Sequence, residues 1–179
     1  MMTNETPTLR LNTSNLSKLK EFQSLGLPEL KVTNIDLQEP DATPIEVIAS
    51  KATQIGSDIL VEDTSLDIEG EDIGVNIKWL QDSLHLYLGK EAVFRVLLGI
   101  QRDGRVLIYK GEVKGQIVEP SGDGFGFDPF FKPYGSDQTL AEFKPTWFNS
   151  RALAVQAFIR GDVFETSPLL HWNGQWQNE

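Results

Sequence analysis

The sequence predicts an α/β protein: a long, twisted, mixed β-sheet with flanking helices. Two observations carry that expectation. Strand-like and helix-like segments alternate through the first half of the chain, and a hairpin with one long alternating strand dominates the middle. The length of 179 residues suits one core rather than two, so a single domain over 1–179 is expected, with 1–7 and 173–179 as loose tails.

Thr8 to Asn12 alternates apolar and polar residues and reads as a strand. Thr13-Ser14-Asn15 follows as a tight polar turn, and Leu16, Leu19, Phe22 and Leu25 recur at helical spacing. Leu30 to Asn34 reads as a second strand. Thr43-Pro44-Ile45-Glu46 is a helix start, with Thr43 as N-cap, proline at the first helical position and glutamate at the third, and the helix runs to about Ile55. Ile59-Leu60-Val61 is a short apolar run, as in a strand buried on both faces, which Glu62-Asp63 would end. Lys78 to Leu88 reads as a helix. Ala92, Phe94, Val96, Leu98 and Ile100 then line one face of a strand, Arg102-Asp103-Gly104 supplies a turn, and Val106 to Glu112 returns. A glycine-rich loop occupies Ser121 to Gly126. Asn149 or Ser150 caps a last helix that ends at Gly161.

Composition narrows the function classes. With 40% apolar and 23% charged residues the chain is ordinary globular material, and its lack of cysteine excludes disulfides, thiolate metal sites and cysteine nucleophiles. A reducing cytoplasm is the expected compartment. Residues 1–7 have neither a basic start nor an apolar core, so no signal peptide is expected, and no apolar run approaches membrane-spanning length. A net charge of −10 argues against nucleic acid as a partner. A small anionic ligand would then need a local cluster of cations or a metal.

Lys18 falls at the third position of the first helix, where positive charge opposes the helix dipole. It either joins the free N–H groups of the turn in holding an anion or is a solvated surface lysine. Lys51, at the flank of an apolar stripe, is open to the same two readings. Glu39 lies in a polar loop, and Glu62 and Asp63 follow a buried strand. Carboxylates there can hold a divalent cation or activate water, although Asp63 capping Ser65 would explain the pattern equally. Gly124-Phe125-Gly126-Phe127-Asp128-Pro129 offers close backbone approach and aromatic faces beside a carboxylate, the parts of a base-binding loop and equally of a packed turn. His85 and His171 lack ligand-spaced partners.

In this order the segments resemble the inosine triphosphate pyrophosphatase, or HAM1-like, family of non-canonical purine nucleoside triphosphate pyrophosphatases. Thr13-Ser14-Asn15 with Lys18 is similar to the family's phosphate motif. Asp36-Leu37-Gln38-Glu39 is similar to the segment with a metal-binding glutamate, and Lys51 to the lysine of the second helix. Glu62-Asp63-Thr64-Ser65-Leu66 resembles the acidic motif and Ile77-Lys78-Trp79-Leu80 the lysine-tryptophan motif. Gly124 to Pro129 and Thr139-Leu140-Ala141-Glu142 resemble two further blocks. Two departures stand out: Glu71-Asp72-Ile73-Gly74 replaces a Gly-Leu-Pro-Gly stretch, and Asn149-Ser150-Arg151 replaces Ser-His-Arg.

The resemblance implies two lobes around a nucleotide cleft and a nucleotide-pool sanitising activity. Inosine and xanthosine triphosphates, or their deoxy forms, would be hydrolysed to monophosphate and pyrophosphate. It implies Mg²⁺ held by Glu39 and Asp63, with catalysis by Asp63, Lys18, Lys51 and Lys78. Substrate contacts would come from Thr13, Ser14, Asn15, Lys18, Lys51, Thr64, Ser65, Lys78, Phe125, Gly126, Phe127, Asp128 and Arg151. The family is commonly homodimeric. A non-catalytic nucleotide sensor or scaffold on the same fold is the alternative that loss of the motif histidine keeps open.

Overall fold

The computed structural model describes residues 8–70, 81–124 and 126–177. Its strands are β1 (Arg10–Asn12), β2 (Lys31–Thr33), β3 (Ile59–Ile68), β4 (Glu91–Arg102), β5 (Arg105–Ile117), β6 (Phe131–Pro133) and β7 (Glu165–Pro168). The helices are α1 (Leu16–Ser24), α2 (Pro44–Ile55) and α3 (Ser150–Arg160), with a 3₁₀-helical segment over Gln81–Tyr87. The strands form one mixed sheet in the order β2-β1-β3-β4-β5-β6, and β7 pairs with the start of β5. β1 runs parallel to β2 and β3, and every later pairing is antiparallel. This is the mixed α/β sheet that the pattern predicts.

The helix starts form as their chemistry requires. Asn15 accepts hydrogen bonds from Ser17 N and Lys18 N, Thr43 and Glu46 close a reciprocal capping box, and Asn149 accepts from Arg151 N and Ala152 N. Glu46 is thereby a cap rather than part of a site. The β4–β5 hairpin turns on Asp103 and Gly104, both at positive φ (54° and 72°), as a two-residue turn matching the strand twist requires.

Several expectations need correction. β3 does not end at Glu62-Asp63 but runs on to Ile68, because its backbone pairs with β4 from Val61↔Gly99 to Ile68↔Ala92. β5 is longer than the stretch Val106 to Glu112, as β4 pairs with it from Arg105 to Gln116 and β6 carries the pairing to Ile117. The helix expected from Lys78 is 3₁₀-helical over Gln81–Tyr87, while Lys78 to Leu80 lie outside the described residues. Within the expected tail, residues 175–177 are held rather than loose, through hydrogen bonds to residues 39–41, while 178–179 and 1–7 lie outside the described residues.

Two apolar clusters fix the layers. On one face α1 and α3 cover the sheet, with Phe22, Val155 and Ala157 packed among Leu11, Leu60, Phe94, Leu98 and Tyr109. On the other, Ile48, Ala52 and Ile55 of α2 meet Val61, Leu97, Val106 and Ile108. The α3 contact is tight at Gly111 of β5, where an added Cβ would lie 1.8 Å from Ser150 O and 2.5 Å from Ala154 N. Both are backbone atoms, so no rotamer change relieves the overlap. We expect Gly111→Ala to cost about 1–3 kcal/mol as overpacking and to push the start of α3 off the sheet. Urea unfolding of the variant checks this, and an unchanged midpoint would contradict it.

Candidate functional site

β1 pairs with β3 only as far as Leu60, so from Val61 onward that edge of β3 opens past the carboxyl end of β1. A crevice outside the carboxyl ends of parallel strands is where open α/β sheets gather ligands. Because side chains alternate along a strand, Glu62 and Asp63 leave this edge on opposite faces.

Glu62 faces α1 and α3 and is almost wholly buried. Arg151, in the first turn of α3, donates to it twice, from Nε to Oε2 at 2.6 Å and from Nη2 to Oε1 at 3.1 Å. Lys18 Nζ lies 3.2 Å from Oε1. Lys51 of α2 donates from Nζ to the Glu62 carbonyl at 2.6 Å. Burial alone would push the Glu62 carboxyl up, but Arg151 and Lys18 outweigh burial and hold it below its ordinary range. One residue thus gathers a cation from each of three helices. Both carboxylate oxygens of Glu62 already face cations, which makes it an anchor for them. Arg151 is braced on its other side by Glu21, whose Oε2 accepts from Nη1 at 2.8 Å.

Asp63 has the opposite environment. Its Oδ2 is buried and has no hydrogen-bond partner. Burial pushes its carboxyl up to about 7, with Lys51 opposing and with Glu39 and Glu62 adding to the rise. Glu39 Oε1 lies 3.5 Å from Lys51 Nζ, so the lysine sits beside Glu39 and under β3 at once. A cleft of about 390 Å³ here is lined by Thr13, Ser14, Lys18, Glu39, Lys51 and Glu62 among others. The turn is rigid: Asn15 N donates to Thr13 Oγ1 at 3.1 Å and Thr13 N to Thr33 O at 2.8 Å, which directs the α1 N-terminus at the cleft.

A second cleft of about 660 Å³ adjoins it through Lys18 and is lined by Asn15, Thr64, Phe94, Gly126, Phe127, Asp128, Lys144 and Arg151 among others. Lys144 Nζ donates to Asp128 Oδ2 at 3.0 Å and stands 5.8 Å from the centre of the Phe94 ring. Lys144 escaped the sequence reading, although it stands two residues after the Thr139–Glu142 block. That block is structural: Thr139 Oγ1 donates to Ser121 O at 2.6 Å, and Glu142 Oε1 accepts from Thr139 N at 3.0 Å. Together they pin the glycine loop.

Of the residues singled out in the sequence, Thr13, Ser14, Lys18, Lys51 and Glu39 meet at the first cleft; Asn15, Thr64, Gly126, Phe127, Asp128 and Arg151 line the second. Phe127 turns most of its ring into the core, edge-on to Phe94 at 4.9 Å and to Phe131 at 6.1 Å. Ser65 is a correction. It leaves β3 on the face opposite Thr64, is buried at 1% exposure, and lines neither cleft. Lys78 and Phe125 lie outside the described residues. Asn149 and Ser150, which replace two motif residues, are turned away from the cavity. Asn149 caps α3, and Ser150 Oγ donates to Phe94 O at 2.9 Å in the core.

Fold and clefts define an open-sheet α/β protein with cations gathered at the carboxyl edge of its parallel strands. The chain belongs to the Ham1 family, whose model matches residues 9–160. A Yarrowia lipolytica protein named inosine triphosphate pyrophosphatase is 32% identical across 85% of this chain and 92% of its own length. One of the same name from Fusarium vanettenii is 34% identical across 83% and 94%. Among solved structures, the Staphylococcus aureus Ham1 protein superposes with a TM-score of 0.65 at 22% identity, covering 86% of this chain and 98% of that one. A Mycobacterium abscessus nucleoside-triphosphatase, or dITP/XTP pyrophosphatase, gives 0.60 at 20% identity, covering 85% and 97%.

Proposed function

We propose that this protein is a nucleoside triphosphate pyrophosphohydrolase that converts non-canonical purine nucleotides, those of inosine and xanthosine, to monophosphate and pyrophosphate. The observation that carries the proposal is the buried, unpartnered carboxylate oxygen of Asp63, next along β3 from Glu62 and within electrostatic reach of Lys51, Glu39 and Lys18, which line the first cleft together with the Thr13-Ser14 turn. The family's relatives named for this activity support it.

The donor set fits a hard divalent cation. Among the described residues no three carboxylates or histidines converge, but Asp63 Oδ2 lacks a partner and Glu39 lies close enough to raise its pKa. Two carboxylates with substrate phosphates and water completing the shell suit Mg²⁺. Glu39 and Asp63 would hold it, and it would supply charge neutralisation on the phosphates.

The protein's own groups do the rest. The N–H groups of the α1 start and the Thr13-Ser14 turn bind phosphate oxygens, and Lys18 and Lys51 oppose the charge that grows on the departing pyrophosphate. Asp63, whose Oδ2 is left without a hydrogen-bond partner, accepts the proton of the water that attacks the α-phosphorus. The P–O bond to the β-phosphate breaks, and pyrophosphate leaves toward the lysines.

The base occupies the larger cleft. Arg151 keeps an N–H on each terminal nitrogen beyond those given to Glu62 and Glu21, and it can donate them to a 6-oxo group, which the amino group of adenine cannot accept. With Asn149 and Ser150 turned away from the cavity, the wall is poorer in donors, so guanine is excluded weakly. We expect specificity constants for inosine triphosphate to exceed those for adenosine triphosphate by about 10⁴-fold, and those for guanosine triphosphate by only about tenfold to a hundredfold. A pyrophosphate-release assay with Mg²⁺ over these nucleotides tests the proposal. Preference for adenosine triphosphate would overturn the base assignment, and tight binding without release would mark a sensor instead.

A further inference from the structure

The chain beyond β7 follows a defined path. Leu169 packs against the α2 cluster, and Leu170 N donates to Thr53 Oγ1 on α2 at 2.9 Å. Trp172 Nε1 then donates to Gln175 O at 2.8 Å and turns the backbone. The next residues pair antiparallel with the loop that carries Glu39. Asp41 N donates to Gln175 O and Gln177 N to Glu39 O, both at 2.9 Å, bracketing a Pro40–Trp176 bridge. Pro40 has no N–H to lose at that position, and its carbonyl accepts from Gln177 Nε2 at 3.1 Å. Gln177 Oε1 is buried without a partner, so the side chain is inserted rather than laid on the surface.

The loop between β2 and α2 has no regular structure of its own. Asn12 holds Ile35 through two hydrogen bonds, of 2.9 and 2.8 Å, and Gln54 holds Gln38 through two more, of 3.1 and 2.8 Å. The tail takes over at residues 39–41. We infer that the C-terminal segment 175–177 is a positioning element for the metal site, fixing the backbone of Glu39 so that its carboxylate stays beside Lys51 and Asp63. A ligand on an unheld loop must be ordered as the cation arrives, and that cost lowers affinity. This rests on the proposed role of Glu39 and Asp63.

The test uses a chain truncated after Asn173 and, in the full-length protein, Gln177→Pro, which deletes the donor to Glu39 O. Mn²⁺ is titrated without nucleotide and the free ion is read by electron paramagnetic resonance. Both variants should bind Mn²⁺ about tenfold more weakly, the usual cost of losing support behind a metal ligand. Metal-free binding of inosine triphosphate should stay unchanged, and excess Mg²⁺ should restore kcat. If truncation prevents folding, Gln177→Pro decides. Mn²⁺ affinity equal to that of the intact chain would overturn this inference alone; no Mn²⁺ binding by the intact chain would overturn the metal site and the inference with it. A kcat that excess Mg²⁺ does not restore would also overturn it, since the tail would then be supporting structure generally.

Discussion

Asp63→Asn should abolish turnover and at the same time stabilise the metal-free protein above neutral pH. The carboxyl rises from an ordinary 3.8 to about 7 on folding, so between those values the folded chain binds more protons at this site than the unfolded chain does. Stability contributed by the protonated form is therefore complete below about pH 4, is lost as pH rises to about 7, and stays lost above it. A shift of about three units corresponds to a cost on the order of 4 kcal/mol at pH 8. Asparagine has nearly the same shape and no charge, so the variant escapes that loss. Thermal unfolding of both proteins without metal at pH 4 and pH 8 checks this: the melting temperatures should nearly coincide at the lower pH and separate at the higher, the variant being more stable. A more stable wild type at pH 8 would mean that the carboxylate is favourably paired. Retained turnover would remove Asp63 from the chemistry.

Glu62→Ala should be costly for the reverse reason. Glu62 stabilises cations that are themselves largely withdrawn from water, and deleting it leaves Arg151 with Glu21 as its remaining carboxylate partner and Lys18 without its anchor. Breaking a buried pair from one side costs about 3–5 kcal/mol, mostly because the remaining charge is stranded. The double variant Glu62→Ala with Arg151→Ala should lose clearly less than the sum of the single variants. Urea unfolding of the four proteins measures the coupling, and strict additivity would show that the pair is not a unit. In the milder Glu62→Gln, Lys18 is no longer held toward the phosphate cleft, so kcat should fall more than KM rises.

The parts legible in the sequence are those that local chemistry determines. Asn15, Thr43-Pro44-Glu46 and Asn149 cap helices through side chains that reach N–H groups two or three residues away, and Asp103-Gly104 turns a hairpin through its own backbone angles. The end of β3 is not legible because a carboxylate pair inside a strand resembles a stop signal. Pairing with β4 is the non-local fact that carries the strand onward, and it puts Glu62 and Asp63 at an open edge in mid-strand. The burial of Ser65 is hidden for the same reason, since a contiguous motif on a strand places alternate residues on opposite faces. Lys144 reaches Asp128 from across a loop, and Gln177 reaches Pro40 across 137 positions; neither distance leaves a local pattern to read.

In the proposed reaction water, with its proton passing to Asp63, attacks the α-phosphorus and pyrophosphate leaves. The most direct test is one turnover of inosine triphosphate with Mg²⁺ in ¹⁸O-labelled water, with the products resolved by mass spectrometry. We expect inosine monophosphate carrying one ¹⁸O and unlabelled pyrophosphate, and no such products from Asp63→Asn; inosine diphosphate with labelled orthophosphate, or label in the pyrophosphate, would contradict attack at the α-phosphorus.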